Sequence, residues 1–475
     1  MSNNSTCNST WTAAELLVRY GDRTARPSDV IAGQLDRVRR LDGDLNAVTQ
    51  MLDDEALIAA EQADATWDAE AGLADVVRHR PLLGVPVLVK EKHALAGHRV
   101  DQAVPATAVR ADRDHPVVAR LRAAGAIPIA RTTNPEFCAA TMTESLAHGV
   151  TRNPYNLDCT PGGSSGGSGA ALAAGYAPLA TGSDIGGSTR IPASFCGVVG
   201  YKAPYGVVPG LHPSTMDWYR SDSAMARTVG DTLMMHNIIA GQHPDDPHSV
   251  PFGPVTEPAG GWSVEGQRIV VSRRLGDYAV DDDILDGVES AADALRHNGA
   301  TIEYREPCWD TSEIMAVAMA HYGHTLAPGM ADQIERSGAA VSPYIVQFID
   351  HTLAAASRMP LYQTFARESD IRRSLARLLE GASVLVTPVT TRSAMPAHAP
   401  TVSVDNHGQH YWADFMAVPF NIANRHPALA VPSGVGDSGV PTGIQLVGNA
   451  YDQQAVFRAG FVLERALPWE HPHAR

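Results

Sequence analysis

The residues from Pro161 to Arg190, PGGSSGGSGAALAAGYAPLATGSDIGGSTR, gather most of what could do chemistry in this chain. So dense a run of Gly and Ser inside a globular sequence has three physical uses. Small residues let helices pack closely and chains turn tightly. Glycine-rich loops cradle phosphates, but G-x-x-x-x-G-K-[ST] is absent and the run holds no lysine, which argues against a P-loop. A dinucleotide fingerprint needs a preceding strand, and TPGGSSGGSG follows no convincing one. The third use is acyl transfer. A serine nucleophile must stand where an acyl carbonyl can come close, with backbone N–H groups converging on the developing oxyanion. Asp184-Ile185-Gly186-Gly187-Ser188 suits that demand. Its glycines turn the backbone and clear space, and the N–H groups beside Ser188 can form the hole.

A serine hydroxyl needs a base. The chain has 19 histidines, and spacing singles out none of them. His93 with His98, His321 with His324 and His407 with His410 are close pairs. Carboxylate or Cys partners at metal-binding spacing are missing, so each pair reads as solvated or structural, with no metal expected. Lysine serves as the base in Ser–Lys variants of the triad. Lys90 ends the apolar run LLGVPVLVK, a place most lysines avoid. Burial there disfavours the ammonium and leaves an amine able to accept a proton. A lysine at a strand end can equally snorkel into solvent. The residues alone leave both roles open.

The elements that must position these residues alternate in type. Thr12 and Glu15 form a capping-box pattern, Pro27 opens a helix with Ile31, Leu35, Val38 and Leu41 on one face, and Asp53 to about Glu70 is helical. Leu82–Lys90 reads as a buried strand, Val117–Ala124 as a helix and Ala126–Ala130 as a strand. Beyond the Gly/Ser run come strand Arg268–Arg273, a helix from about Asp283 to His297 and strand Thr301–Tyr304. Residues 305–380 are mostly helical, and strands Ser383–Pro388, Ala428–Val431 and Gly443–Val447 follow. Strands alternating with helices predict an α/β fold with a substantially parallel sheet. There is no internal repeat or long linker. The Gly260 segment, GGWSVEGQ, reads as a surface loop. Residues 1–10 read as a disordered tail and 11–475 as a single domain.

Composition narrows the function further. The formal charge is −15, with Lys and Arg scattered, whereas nucleic-acid binders carry a basic stripe. Five cysteines at wide spacings, without C-x-x-C, argue against a disulfide framework or a cysteine zinc site. The N-terminus does not read as a signal peptide and no apolar run reaches 18 residues, so a cytoplasmic location is expected.

TPGGSSGGSGAALAAG followed by TGSDIGGSTRIPASFCGVVGYKAPYG resembles the amidase signature family. GVPVLVKEK at Gly84–Lys92, SAMARTVGD at Ser223–Asp231 and PALAVPSG at Pro427–Gly434 match further family segments. The resemblance runs from roughly Arg80 to Glu464, with a signature core at about 80–230. It implies one large α/β domain with a mixed central sheet flanked by helices, and a Ser–cisSer–Lys triad. Lys90 falls on the motif lysine, Ser164 on the serine after a cis peptide bond and Ser188 on the nucleophile. Ser165 is the rival to Ser164, one residue out of register. The implied oxyanion hole is the N–H groups of Ile185, Gly186, Gly187 and Ser188. Asp184 and Arg190 then read as a charge pair that holds the turn. No cofactor is implied.

The activity implied is hydrolysis of a small carboxylic amide to acid plus ammonia or amine, by a possible homodimer. The acyl or leaving group would rest near Cys138–Met142, Trp218 and Tyr219. The alternative is a glutaminase-type A subunit of an aminoacyl-tRNA amidotransferase complex. Two departures bear on the choice. Glu91 stands where the lysine motif usually has Asp, and residues 216–224 replace the family's S-L-D-Q-x-G-P. The second departure weighs against that alternative, and the acidic charge against direct tRNA contact, which such a subunit can leave to a partner.

Overall fold

Val384, Leu385 and Val386 are all buried, but in two different cores. Val384 and Val386 pack with Leu446 and Val271, whereas Leu385 packs with Val447 and Val270. Alternate residues of a strand point to opposite faces, so both faces of this sheet are covered by apolar side chains. In the computed structural model, which describes residues 10–69, 72–398 and 411–469, that sheet has 11 strands. Across it they run Val48–Met51, Ile127–Thr132, Pro86–Lys90, Leu179–Asp184, Ser221–Ala226, Val199–Lys202, Ala428–Val435, Pro441–Gly448, Val384–Pro388, Arg268–Val271 and Thr301–Tyr304.

The expected α/β fold with a mixed sheet flanked by helices is what the chain adopts. The expectation of a substantially parallel sheet is corrected. Pairing is parallel only among the strands at 86–90, 127–132 and 179–184 and again among those at 268–271, 301–304 and 384–388. The other six pairings, including the whole centre, are antiparallel. The parallel reading came from strands separated by helices. At the centre, Ala428–Val435 and Pro441–Gly448 form a hairpin, and Leu179–Asp184, Ser221–Ala226 and Val199–Lys202 are strands whose sequences carry little strand signal.

Helix ends follow local chemistry. Thr12 and Glu15 close a capping box on Ala13–Gly21, and Pro27 starts Pro27–Leu45. Asp282–His297 places acids in its first turn and Arg296 and His297 in its last, matching the helix dipole. Residues 305–380 hold four helices, Thr311–Thr325, Ala327–Ser337, Pro343–Arg358 and Leu361–Leu378. Apart from Thr10, the expected tail at residues 1–10 lies outside the described residues. Among those residues no helix is long and apolar enough to cross a membrane.

Candidate active site

Two neighbouring parallel strands, Pro86–Lys90 and Leu179–Asp184, end side by side, and the polar residues of interest stand at their C-terminal ends. Open α/β sheets characteristically place ligand crevices there. Lys90 is the last residue of its strand and is fully buried. Its Nζ donates to Ser164 Oγ at 2.7 Å, Ser165 Oγ at 2.9 Å and Ser183 Oγ at 3.1 Å. Three hydroxyls thus surround an amine that does not snorkel. Burial pushes the Lys90 pKa down to about 8, helped by the Lys92 charge and opposed by the negative groups around it. The helix Gly166–Ala173 begins at Ser165, so its positive end also lies against this amine.

The Gly163–Ser164 peptide bond is cis. Gly163 is required where it stands, because a Cβ there would lie 2.5 Å from Met142 O. Ser164 and Ser165 part company in their surroundings. Ser164 lines a cavity that Ser188 also lines, whereas Ser165 does not. Ser165 Oγ is instead engaged by the backbone at Ser183, whose N–H donates to it at 3.3 Å, and Ser165 N–H donates to Ser188 O at 3.0 Å. Ser165 therefore ties the two segments together. Ser188 Oγ makes no hydrogen bond among the described residues, which leaves it available to a ligand in the cavity.

The turn before Ser188 is held by an elaborate anchor. Asp184 accepts from the N–H groups of Gly187 at 2.8 Å and Thr189 at 3.2 Å, from Arg190 Nη2 at 2.9 Å and Nε at 3.0 Å, and from Asn421 Nδ2 at 2.8 Å. Arg190 also donates to Gln445 Oε1, Asn421 Oδ1 and Ala417 O. Both charged side chains are completely buried. Burial alone would raise the Asp184 pKa, but the Arg190 charge and hydrogen bonds hold it below the usual carboxylate range. Gly187 has φ of 111°, and a Cβ on it would meet Ala417 Cβ at 2.6 Å. Of the four N–H groups expected to form an oxyanion hole, that of Gly187 is taken by Asp184. Those of Ile185, Gly186 and Ser188 have no partner among the described residues.

The four expected substrate contacts separate. Cys138 lines the cavity, with both Phe137 and Cys138 in left-handed conformations at φ of 53° and 57°. Glu136 pins that turn by accepting from Leu146 N–H, Ser342 N–H and Ser342 Oγ. Met142, Trp218 and Tyr219 are not in the cavity wall. Met142 packs in the core. Tyr219 stacks on His321 at 3.6 Å and donates to Glu368 Oε1, and Trp218 Nε1 donates to Glu368 Oε2. Both aromatic residues anchor a buried polar cluster.

Three polar groupings were not singled out in the sequence. The cavity wall includes Lys92, Arg220 and Tyr322, whose hydroxyl donates to Ile185 O at 2.9 Å. Lys92 sits two residues beyond Lys90, and Arg220 lies in the segment that departs from the family pattern, so each had some signal. Asn421 and Gln445 had none, being remote in sequence from the Asp184 turn they brace. His93 pairs not with His98 but with His115 and Asp222, the one set of three metal-ligating side chains brought together among the described residues. Asp222 accepts from Lys92 Nζ at 2.7 Å and meets His93 Nε2 at 2.9 Å, while His93 Nδ1 meets Thr181 Oγ1 at 2.9 Å. Thr181 Oγ1 in turn accepts the Lys90 N–H at 2.8 Å. An ammonium and ring protons therefore close this cluster, and it buttresses the strand end that carries Lys90. His407 and His410 lie outside the described residues.

Against known proteins, the family described as Amidase matches residues 29–457. The chain is 30% identical to the A subunit of the glutamyl-tRNA(Gln) amidotransferase of Alkaliphilus metalliredigens over 94% of each chain. It is 34% identical to the protein of the same name from Roseiflexus castenholzii, over 82% of this chain and 83% of that one. A bacterial aryl acylamidase of the amidase signature family superposes with a TM-score of 0.87 at 23% identity, over 97% of this chain and 96% of that one. At that identity the superposition speaks for the fold. The match across most of the chain, on a sheet whose strand ends carry the motif residues, makes this chain a member of the amidase signature family.

Proposed function

We propose that the chain hydrolyses a carboxylic amide to acid plus ammonia or amine through an acyl-enzyme on Ser188, with Ser164 and Lys90 as proton-transfer partners. One observation carries the reading. A buried amine with a depressed pKa donates to the hydroxyl of Ser164, which shares a cavity wall with the unengaged hydroxyl of Ser188. Neutral Lys90 takes the proton of Ser164 as Ser164 takes that of Ser188, and Ser188 Oγ attacks the amide carbonyl carbon. The negative charge that develops on the carbonyl oxygen is met by the N–H groups of Ile185, Gly186 and Ser188. Gly187 shapes the turn instead of contributing to that hole. Collapse of the tetrahedral intermediate breaks the C–N bond, and the relayed proton leaves on nitrogen. Water then attacks the ester by the same route, releasing the acid and restoring Ser188.

The amide itself has two readings. In the first it is a small amide, aryl or alkyl, cleaved by the chain acting alone. In the second the chain is the ammonia-releasing A subunit of an aminoacyl-tRNA amidotransferase. The names of the relatives at 30–34% identity favour the second, while the aryl acylamidase at 23% bears on the fold alone. Ammonia release by the purified chain from simple amides and from glutamine separates them. Turnover of simple amides, abolished in Ser188→Ala, supports the first. Release from glutamine only in the presence of partner proteins supports the second. Undiminished turnover in Ser188→Ala refutes the mechanism common to both.

A further inference from the structure

We propose that the substrate carries a carboxylate in addition to its scissile amide, and that Arg220, seconded by Lys92, holds it. The inference rests on the reading of the cavity as the active site and adds the substrate's charge. Arg220 lines the same cavity as Ser164 and Ser188, with its side chain 27% exposed. A guanidinium has five N–H donors in a planar fork. Among the described residues none of the five makes a hydrogen bond. Nε is buried and unsatisfied, its nearest carboxylate oxygen, Asp217 Oδ2, being 3.8 Å away. Arg220 thus keeps an ion pair with Asp217 but no hydrogen bond, and its terminal N–H groups are the donors that a bound anion would meet.

Lys92 adds a second cation to the wall, and among the described residues its ammonium makes a single hydrogen bond, to Asp222. Its other two N–H groups remain free to donate. Only one carboxylate lines the cavity among the described residues, that of Asp184, and Arg190 and Asn421 already saturate it. The wall therefore presents two cations and one saturated carboxylate, with Lys92 ion-paired to Asp222 and Arg220 to Asp217 behind it. Its remaining surface includes apolar Phe137, Leu326 and Trp412, which suit a short hydrocarbon stem between the amide and the charge.

Calorimetric titration of the full chain with the linear dicarboxylates from malonate to adipate, and with the matching neutral diamides, tests this directly. Each dicarboxylate stands for an acid product whose second carboxylate meets Arg220. At least one should bind with a Kd of roughly 10 mM or tighter, and about tenfold tighter than its diamide. Arg220→Gln should remove that difference while Arg220→Lys retains part of it, with circular dichroism confirming that each variant is folded. Ser188→Ala should leave binding intact. Equal binding of acids and diamides, no dicarboxylate binding, or a preference that survives Arg220→Gln overturns the proposal. Labelling of Ser188 by a neutral fluorophosphonate tests the nucleophile independently. Loss of labelling with carboxylate binding intact would fault the mechanism and not the charge preference.

Discussion

In the proposed mechanism the chemistry turns on Lys90, whose depressed pKa makes it a base at a cost in stability. Its pKa is lowered from 10.5 to about 8 by burial. A group whose folded pKa lies below its unfolded value holds fewer protons when folded, so stability rises with pH across that interval. At neutral pH the buried ammonium is a liability. Lys90→Met should therefore raise the thermal midpoint at pH 7, and the gain should shrink as pH rises from 8 toward 10.5. The same variant should lose about 10²–10⁴-fold in kcat, as expected for removal of a general base. In the wild-type enzyme kcat should climb as pH passes through about 8 and Lys90 deprotonates. Calorimetry and a pH–rate profile on the two proteins check both halves. A kcat that survives Lys90→Met removes the base assignment.

At the scale of elements, the Asp184–Arg190 pair decides whether the Ser188 turn exists. Asp184 collects five donors, and Arg190 reaches across to Asn421, Gln445 and Ala417, which belong to the C-terminal third of the sequence. Breaking a buried ion pair by removing one partner leaves the other charge without compensation, an effect of about 3–5 kcal/mol. Arg190→Leu should show that loss as a lower urea midpoint together with loss of activity. Arg190→Lys should recover only part, since a point charge cannot reproduce the fork. The pair was visible in the sequence as two charges flanking the turn, but its braces were not. Strands were legible where burial meant apolar residues, as in Pro86–Lys90, Ile127–Thr132 and Val384–Pro388. Leu179–Asp184 and Ser221–Ala226 are just as buried, yet they read LATGSD and SDSAMA. Their polar side chains are satisfied by partners distant in the chain, such as Lys92 and His93 on Asp222, so local propensity gave no sign of them.

The whole molecule is held across the cavity by a second buried cluster. His321 Nε2 lies 3.0 Å from Asp217 Oδ1 and Nδ1 lies 3.0 Å from Glu368 Oε1, joining the helices Thr311–Thr325 and Leu361–Leu378 to the loop that carries Arg220. Burial would lower the His321 pKa, but the two carboxylates raise it above 6.5. A raised folded pKa contributes stability that is fully present below about pH 6.5 and is lost as pH rises through the folded value. The thermal advantage of wild type over His321→Gln should therefore be greatest on the acid side and shrink above pH 6.5. A pH-independent difference would show that His321 is neutral in the folded protein. The motif residues Lys90, Ser164 and Ser188 were legible because each stands in a short, distinctive run of sequence. The cavity wall was less legible: Cys138 lies in it, but Trp218 and Tyr219 serve this cluster, because an aromatic residue beside a motif carries no mark of which way it faces.

The central claim is that Ser188 carries the acyl group. Mass-spectrometric peptide mapping after rapid acid quench of the enzyme turning over an amide tests it most directly. The added mass of the acyl half of the substrate should fall on Ser188 in the wild-type chain and be absent from Ser188→Ala. An acyl adduct on Ser164, Ser165 or Cys138, or turnover that persists in Ser188→Ala, would contradict it.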